Sequence, residues 1–236
     1  MLSLTPIAFA RNGFTDKFGI PRQVREQTVL RTRIVFCPPY RSEDAIRGIE
    51  AFTHLWILWG FHEAIPKSET ANKLTVRPPR LGGNTRVGVF ATRSPYRPNP
   101  LGLTSVRLVG VEHDARDGAV LIVEGADMMD GTPIYDIKPY LRYCDSHPDA
   151  RDGFVDATPA RLLKVVWPEQ LPKDLPQAEL QEILEQDPRP AYHNDPERTY
   201  GIDYAGWNIR FRVADEVLHI TDIRRSVYST RRPCMS

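Results

Sequence analysis

Short strand-like runs follow one another so closely through the first two thirds of the chain that they predict an antiparallel sheet or barrel. Residues 105–111 and 120–123 face each other across an Arg116-Asp117-Gly118 turn, residues 28–36 are rich in β-branched side chains and arginine, and residues 54–61 form a continuous apolar block containing Trp56 and Trp59. The alternation of Val87, Val89 and Ala91 reads as a further strand over residues 86–92. One helix interrupts them. Ser42 is its expected N-cap, Glu43 and Asp44 suit the positive first turn, and Ala45, Ile46, Ile49 and Phe52 supply an apolar face.

The character changes near Trp167. Pro168, Pro172 and Pro176 form a stiff connector into a second helix over residues 176–186, with Leu180, Ile183 and Leu184 on one face and Asp187-Pro188-Arg189-Pro190 as its stop. Trp207, Ile209, Phe211 and Val213 then alternate with Asn208, Arg210 and Arg212, and the chain turns at Asp215-Glu216 into residues 217–223, a hairpin with one dry face. The expected organisation is a mainly β domain over residues 1–160 and a small α+β domain over residues 168–236, with the boundary near 158–170.

Charge is sorted along this chain. Between residues 71 and 111 there is no Asp or Glu, while Lys73, Arg77, Arg80, Arg86, Arg93, Arg97 and Arg107 give a local charge of +7 in a chain whose formal total is +1. A composition bias would account for the use of 25 Arg against 6 Lys, but it would not empty one window of acids and crowd eight of them into residues 169–197. Stiffened by Pro95, Pro98 and Pro100, the basic window predicts a preorganised surface for a polyanion.

Other classes are disfavoured. The start of the chain lacks a charged leader before its short apolar run, and no stretch approaches the roughly 18 apolar residues of a membrane span, so a cytoplasmic protein without a membrane partner is expected. Cys37, Cys144 and Cys234 are odd in number and far apart, which argues against a disulfide framework, and no CxxC or HxxxH spacing supports a metal. The glycine-rich loops of common nucleotide-binding folds and the Gly-x-Ser-x-Gly elbow are also missing. What remains are polar clusters in loops: Pro21-Arg22-Gln23, Phe61-His62-Glu63, Arg93-Ser94, Glu124 to Asp127, and Asp130 to Leu141, where a strand would point Asp136, Lys138 and Tyr140 to one side. By residue type alone, Asp136 and Lys138 also make a structural ion pair and His62 a satisfied core histidine.

Four segments resemble, in order, those of the TsaA-like family: Arg77-Pro78-Pro79-Arg80-Leu81-Gly82-Gly83-Asn84, then residues 92–103, residues 130–141, and Asp187-Pro188-Arg189-Pro190-Ala191-Tyr192. The resemblance runs from about residue 5 to the end of the chain. It implies a single-sheet antiparallel β-barrel that binds S-adenosylmethionine, a homodimer, and N6-methylation of the threonylcarbamoyl-modified adenosine just 3′ of the anticodon in threonine tRNA. It also implies a cofactor pocket at Pro21, Arg22, Gln23, His62, Glu63, Arg93, Leu103, Glu124, Gly125, Ala126 and Asp127, and a C-terminal domain that extends the tRNA surface.

Methyl transfer to the exocyclic nitrogen of adenosine calls for a hydrogen-bond acceptor near that N–H, for which Asp136 is the candidate, with Lys138 positioning it or binding the threonyl carboxylate. Arg77, Arg80, Arg86 and Arg97 are the expected phosphate contacts, and Tyr96, Tyr140 and Tyr200 the expected stacking surfaces for splayed anticodon-loop bases. A reading of another class keeps the basic surface without catalysis: a barrel that binds RNA, or one that senses S-adenosylmethionine.

Overall fold

The computed structural model describes residues 3–21, 28–63, 74–78, 81–82, 84–155, 162–189 and 195–226 of the chain. Its strands are β1 (Ala8–Arg11), β2 (Arg31–Phe36), β3 (His54–Gly60), β4 (Thr75–Val76), β5 (Val87–Gly88), β6 (Leu101–Asp114), β7 (Gly118–Glu124), β8 (Pro133–Pro139), β9 (Lys164–Val166), β10 (Tyr200–Tyr204), β11 (Trp207–Ala214) and β12 (Val217–Arg225). The α-helices among the described residues are α1 (Glu43–Ile46), α2 (Arg142–Asp145) and α3 (Gln177–Glu185).

The strands β1, β2, β7, β6, β3 and β8 pair in that order, all antiparallel, and β1 pairs with β8 to close the sheet on itself. Closure removes free edges and leaves an interior filled by side chains. Ile34, Leu55, Ile57, Val106, Leu121, Val123 and Ile134 fill it. Antiparallel order has a further consequence. The connections β1 to β2, β3 to β6 and β7 to β8 must all emerge at one rim, because each joins a strand that ends there to a strand that starts there.

A bulge adjusts β8. Its pairing with β3 passes from Trp59 opposite Ile134 to Leu58 opposite Asp136, so Tyr135 is an extra residue. The bulge reverses the inward and outward parity of the strand beyond Tyr135: Ile134 and Ile137 both pack on the interior, and Asp136 and Lys138 face outward.

A second sheet, in order β10-β11-β12-β9, packs on α3 around Leu180, Ile183, Leu184, Ile209, Phe211 and Leu218. Asp215 and Glu216 take φ of 48° and 61°, the left-handed pair of a tight hairpin. Strand β9 precedes the proline connector and pairs parallel with β12. This second core also takes in Phe14 and Leu30 from the connection between β1 and β2. Phe14 bridges Tyr204 and meets its ring edge-on at 4.9 Å. Gly13 allows the approach: a Cβ there would lie 2.7 Å from the Tyr204 ring. The Glu182 carboxylate accepts the Thr28 hydroxyl at 2.6 Å and the Val29 N–H at 2.8 Å, fastening α3 to the segment that leads into β2.

Two sequence expectations are corrected. The helix from Ser42 lasts one turn, although Ser42 does cap it through the Asp44 N–H. Gly48 then takes a φ of 85° and only a 3-10 turn follows, yet Ile46, Ile49 and Phe52 still cover the barrel core. The strand over residues 86–92 is two residues long. Thr92 bonds the Val89 carbonyl with both its N–H and its hydroxyl, which closes a 3-10 turn in place of a ladder.

Phe14 is 2% exposed, so Phe14→Ala is expected to lower stability by about 3–5 kcal/mol in denaturant unfolding. A change below about 1 kcal/mol would show that the second core does not depend on this contribution from the first connection.

Candidate active site

The rim where the three connections emerge is polar, in contrast to the apolar interior below it. Asn12, just past β1, organises it. Its side-chain amide donates to the Thr32 hydroxyl at 3.2 Å and to the Met128 carbonyl at 2.9 Å, its side-chain oxygen accepts the Phe14 N–H at 2.9 Å, and its own N–H donates to Asp130 at 3.2 Å. Asp130 also lies 3.7 Å from the Arg11 guanidinium. Burial raises its carboxyl above the usual range, against the Asn12 N–H, Arg11 and His62, which pull it down. His62 brings Nδ1 to 3.5 Å from the hydroxyl of buried Thr132.

Deeper in the same rim, the Trp59 indole N–H donates to the Thr104 hydroxyl at 3.1 Å, which donates to the Asp127 carboxylate at 2.6 Å. Burial raises the Asp127 carboxyl, while the Thr104 hydroxyl, its own backbone N–H and the Arg93 charge pull it down. Arg93 itself is exposed. The rim therefore holds two desolvated carboxylates, Asp130 with a guanidinium 3.7 Å away and Asp127 in the field of a more distant one, with an imidazole between connections. Such an arrangement can clasp a small molecule that carries charges of both signs.

Of the residues expected to bind the cofactor, Arg93, His62, Ala126 and Asp127 belong to this rim, Ala126 being buried, and Glu63 beside His62 is exposed. Pro21 is half-buried in the connection between β1 and β2. Arg22 and Gln23 lie outside the described residues. Leu103 and Glu124 are near the rim but face outward. Leu103 is 56% exposed. Buried Glu124 accepts Arg31 Nε at 3.3 Å and Arg107 Nε at 3.1 Å from the strands on either side. A chain of positive, negative, positive charges thus crosses β2, β7 and β6. Gly125 takes the chain from Glu124 outside to Asp127 inside. Glu124 and Arg31 line a separate cavity of about 320 Å³ with Thr28, Val29, Glu179 and Tyr204. Neither Arg93 nor Asp127 borders it.

Asp136 and Lys138 share the outer face of β8, with Lys138 Nζ 3.7 Å from Asp136 Oδ2 and the Ile137 N–H on Asp136 Oδ1. Their cross-strand neighbours are Leu58 and Trp56. Tyr140 packs against Trp56 with ring centres 5.6 Å apart and against His54 at 6.1 Å. Among the expected RNA contacts, Arg77, Arg86 and Tyr96 are exposed on the excursion between β3 and β6, and Arg80 lies outside the described residues. Arg97 is spent on its own loop, donating to the Thr92 carbonyl at 2.7 Å. Tyr200 lies in the C-terminal sheet, stacked on Phe211 at 5.9 Å under the Arg198 guanidinium, apart from the rim.

Asn12, Thr32 and Thr104 escape a reading by motif. Thr104 does leave a trace: it falls at an inward position of β6 otherwise held by Val106 and Leu108. A lone polar residue on the dry parity of a strand needs a buried partner.

Because the folded Asp127 carboxyl titrates above its unfolded value, its ionisation costs stability. The cost is absent below the unfolded value, grows as pH rises through the window between the two values, and stays constant above the folded one. Asp127→Asn removes it. The stability of Asp127→Asn relative to wild type is expected to increase from acid to neutral pH in denaturant unfolding, and a difference that did not vary with pH would remove the desolvation argument.

Residues 9–146 match the family model of the tRNA-methyltransferase O N-terminal domain, and residues 160–226 match that of the TrmO C-terminal domain. The chain is 42% identical over 220 residues to the tRNA (adenine(37)-N6)-methyltransferase of Escherichia coli K12, covering 89% of this chain and 92% of that one. It is 43% identical over 211 residues to a putative S-adenosylmethionine-dependent methyltransferase, RcsF, of Pseudomonas aeruginosa, covering 85% and 87%. A crystal structure of TrmO from Pseudomonas aeruginosa superposes with a TM-score of 0.75 at 31% identity, over 95% of this chain and 98% of that one. With matches over both halves and over nearly the whole of these relatives, the chain belongs to the tRNA-methyltransferase O family.

Proposed function

We propose that the chain transfers a methyl group from S-adenosylmethionine to N6 of the adenosine 3′ of the anticodon in tRNA. The substrate in this reading is the threonylcarbamoyl-modified adenosine of threonine tRNA, and the working form is a homodimer. The observation that carries the reading is topological: the three connections that supply His62, Arg93, Asp127 and Pro21 meet at one barrel rim. The donor set there fits the cofactor, since Arg93 offers a cation to a carboxylate and Asp127 an anion to an ammonium or hydroxyl.

The bound cofactor supplies an electrophilic methyl on a sulfonium. The chain's own contribution is position and charge. Desolvated Asp127 and exposed Arg93 orient the ligand, and the close-packed floor of Trp59 and Phe61, rings 4.3 Å apart, excludes water from below. Asp136, half exposed on the outer face, accepts the proton of the target N–H, with Lys138 holding its second oxygen. Exposed Tyr96, on the excursion that leaves this rim, gives a flipped base an apolar surface, while Tyr140 packs on Trp56 at the opposite end of the barrel, where its N–H bonds the His54 carbonyl. In this reading residues 1–160 carry the cofactor and residues 168–236 extend the tRNA surface, where Arg210, Arg212 and Arg224 lie on the exposed face of β11 and β12.

Incubation with methyl-labelled cofactor and total tRNA tests the reading: label is expected in the anticodon-loop nucleoside, identified by mass spectrometry. Cofactor retention with no covalent label would instead establish a binding protein. Arg93→Ala is expected to weaken cofactor binding more than tRNA binding in calorimetry. Arg77→Ala and Arg86→Ala are each expected to lower the log–log salt slope of tRNA binding by about 0.7 to 0.9, and unchanged slopes in both would place the RNA surface elsewhere.

A further inference from the structure

With Asp127 ionised, the chain of hydrogen bonds from Trp59 through Thr104 to Asp127 has only one possible direction. The indole nitrogen is a donor without acceptor capacity, so the Thr104 oxygen must accept from it, and the single hydroxyl proton of Thr104 is then aimed at Asp127 Oδ1 at 2.6 Å. Both donors are rigidly held. Trp59 is 4% exposed and wedged against Phe61, and Thr104 is 7% exposed in β6, opposite Ile57 of β3. Asp127, by contrast, sits on the strandless connection between β7 and β8, where the Asn12 amide holds the next backbone carbonyl, that of Met128, and the side chain is left to find its own partner.

We propose that Thr104 is a positioning residue for Asp127. Its hydroxyl occupies Oδ1 and turns Oδ2 toward the ligand at the rim. The inference rests on the reading of the rim as the cofactor site. It assigns the barrel wall a part in binding that the loop residues alone do not explain. A buried carboxylate without such a donor prefers to be neutral or to rotate away, and either change removes the anion that meets the ligand's positive or hydroxyl-bearing end.

Cofactor affinity of the full chain, measured by calorimetry with S-adenosylmethionine, tests this in Thr104→Val, Thr104→Ser and Asp127→Asn. Thr104→Val keeps the shape and deletes the donor, and is expected to weaken binding by about tenfold, the scale of one hydrogen bond to a charged group. Thr104→Ser keeps the donor and is expected to bind within about twofold of wild type. In turnover, the valine variant should raise KM for the cofactor and leave kcat at saturating cofactor nearly unchanged. A role confined to packing predicts instead a lower melting temperature with unchanged affinity in the folded variant, and that outcome would overturn the proposal. So would a serine variant that lost affinity by about tenfold, a comparison that decides even if the valine variant does not fold. Weak binding by Asp127→Asn with normal binding by Thr104→Val sinks the positioning role alone. Normal binding by Asp127→Asn removes Asp127 from the cofactor site altogether.

Discussion

The structure depends on a three-residue splice, Asn12-Gly13-Phe14, that is bonded on both sides. On one side Asn12 gathers Thr32, Met128 and Asp130, and the Phe14 carbonyl accepts the Asp130 N–H at 2.9 Å. On the other, the Gly13 carbonyl accepts the Ala205 N–H at 2.9 Å and Phe14 enters the second core. The connection that carries Asp127 and Asp130 is therefore held through the same residues that dock the C-terminal sheet. Each of these bonds contributes modestly by itself, but leaving any of the buried partners unpaired would cost more than the bond gains.

The rim is a place where polarity is concentrated because the fold forces connections together, and where its groups are partly cut off from water because the apolar interior lies directly below. Both features act in one direction. Reduced screening strengthens the attraction of Asp127 and Asp130 for cationic or hydroxyl-bearing ligands, and the same burial raises their carboxyls. Arg93 and Arg11 moderate that cost. The outer face carries a different chemistry, with Asp136 half exposed and Lys138 exposed next to Trp56, Leu58 and Leu103. The β-bulge at Tyr135 divides the two faces of β8, since without the extra residue Asp136 and Lys138 would continue the inward parity of Ile134.

Glu124 and Asp127 illustrate how three positions in sequence can separate two environments. Glu124 ends a ladder and is neutralised by arginines of both neighbouring strands, an arrangement that knits β2, β7 and β6 together. Asp127 comes after the chain has crossed the rim, and is met by a hydroxyl from inside the barrel.

Local pattern was enough for much of this molecule. Runs facing across the Arg116-Asp117-Gly118 turn marked β6 and β7, period-two alternation marked β11, the Asp215-Glu216 turn marked its hairpin with β12, and the spacing of Leu180, Ile183 and Leu184 marked α3, because each signal lies within a few consecutive residues. The motif resemblance likewise named the rim residues His62, Arg93 and Asp127. Strand β1 and the early end of α1 were not legible, since four residues carry too little periodicity and a single left-handed glycine ended the expected helix. Nor could pattern show that Phe14 belongs to the C-terminal core, that Arg97 is spent on its own loop, or that Thr104 faces Asp127 across 23 positions of sequence. Those facts depend on strand order and closure, which are set by the summed burial of distant apolar faces and are encoded in no single segment.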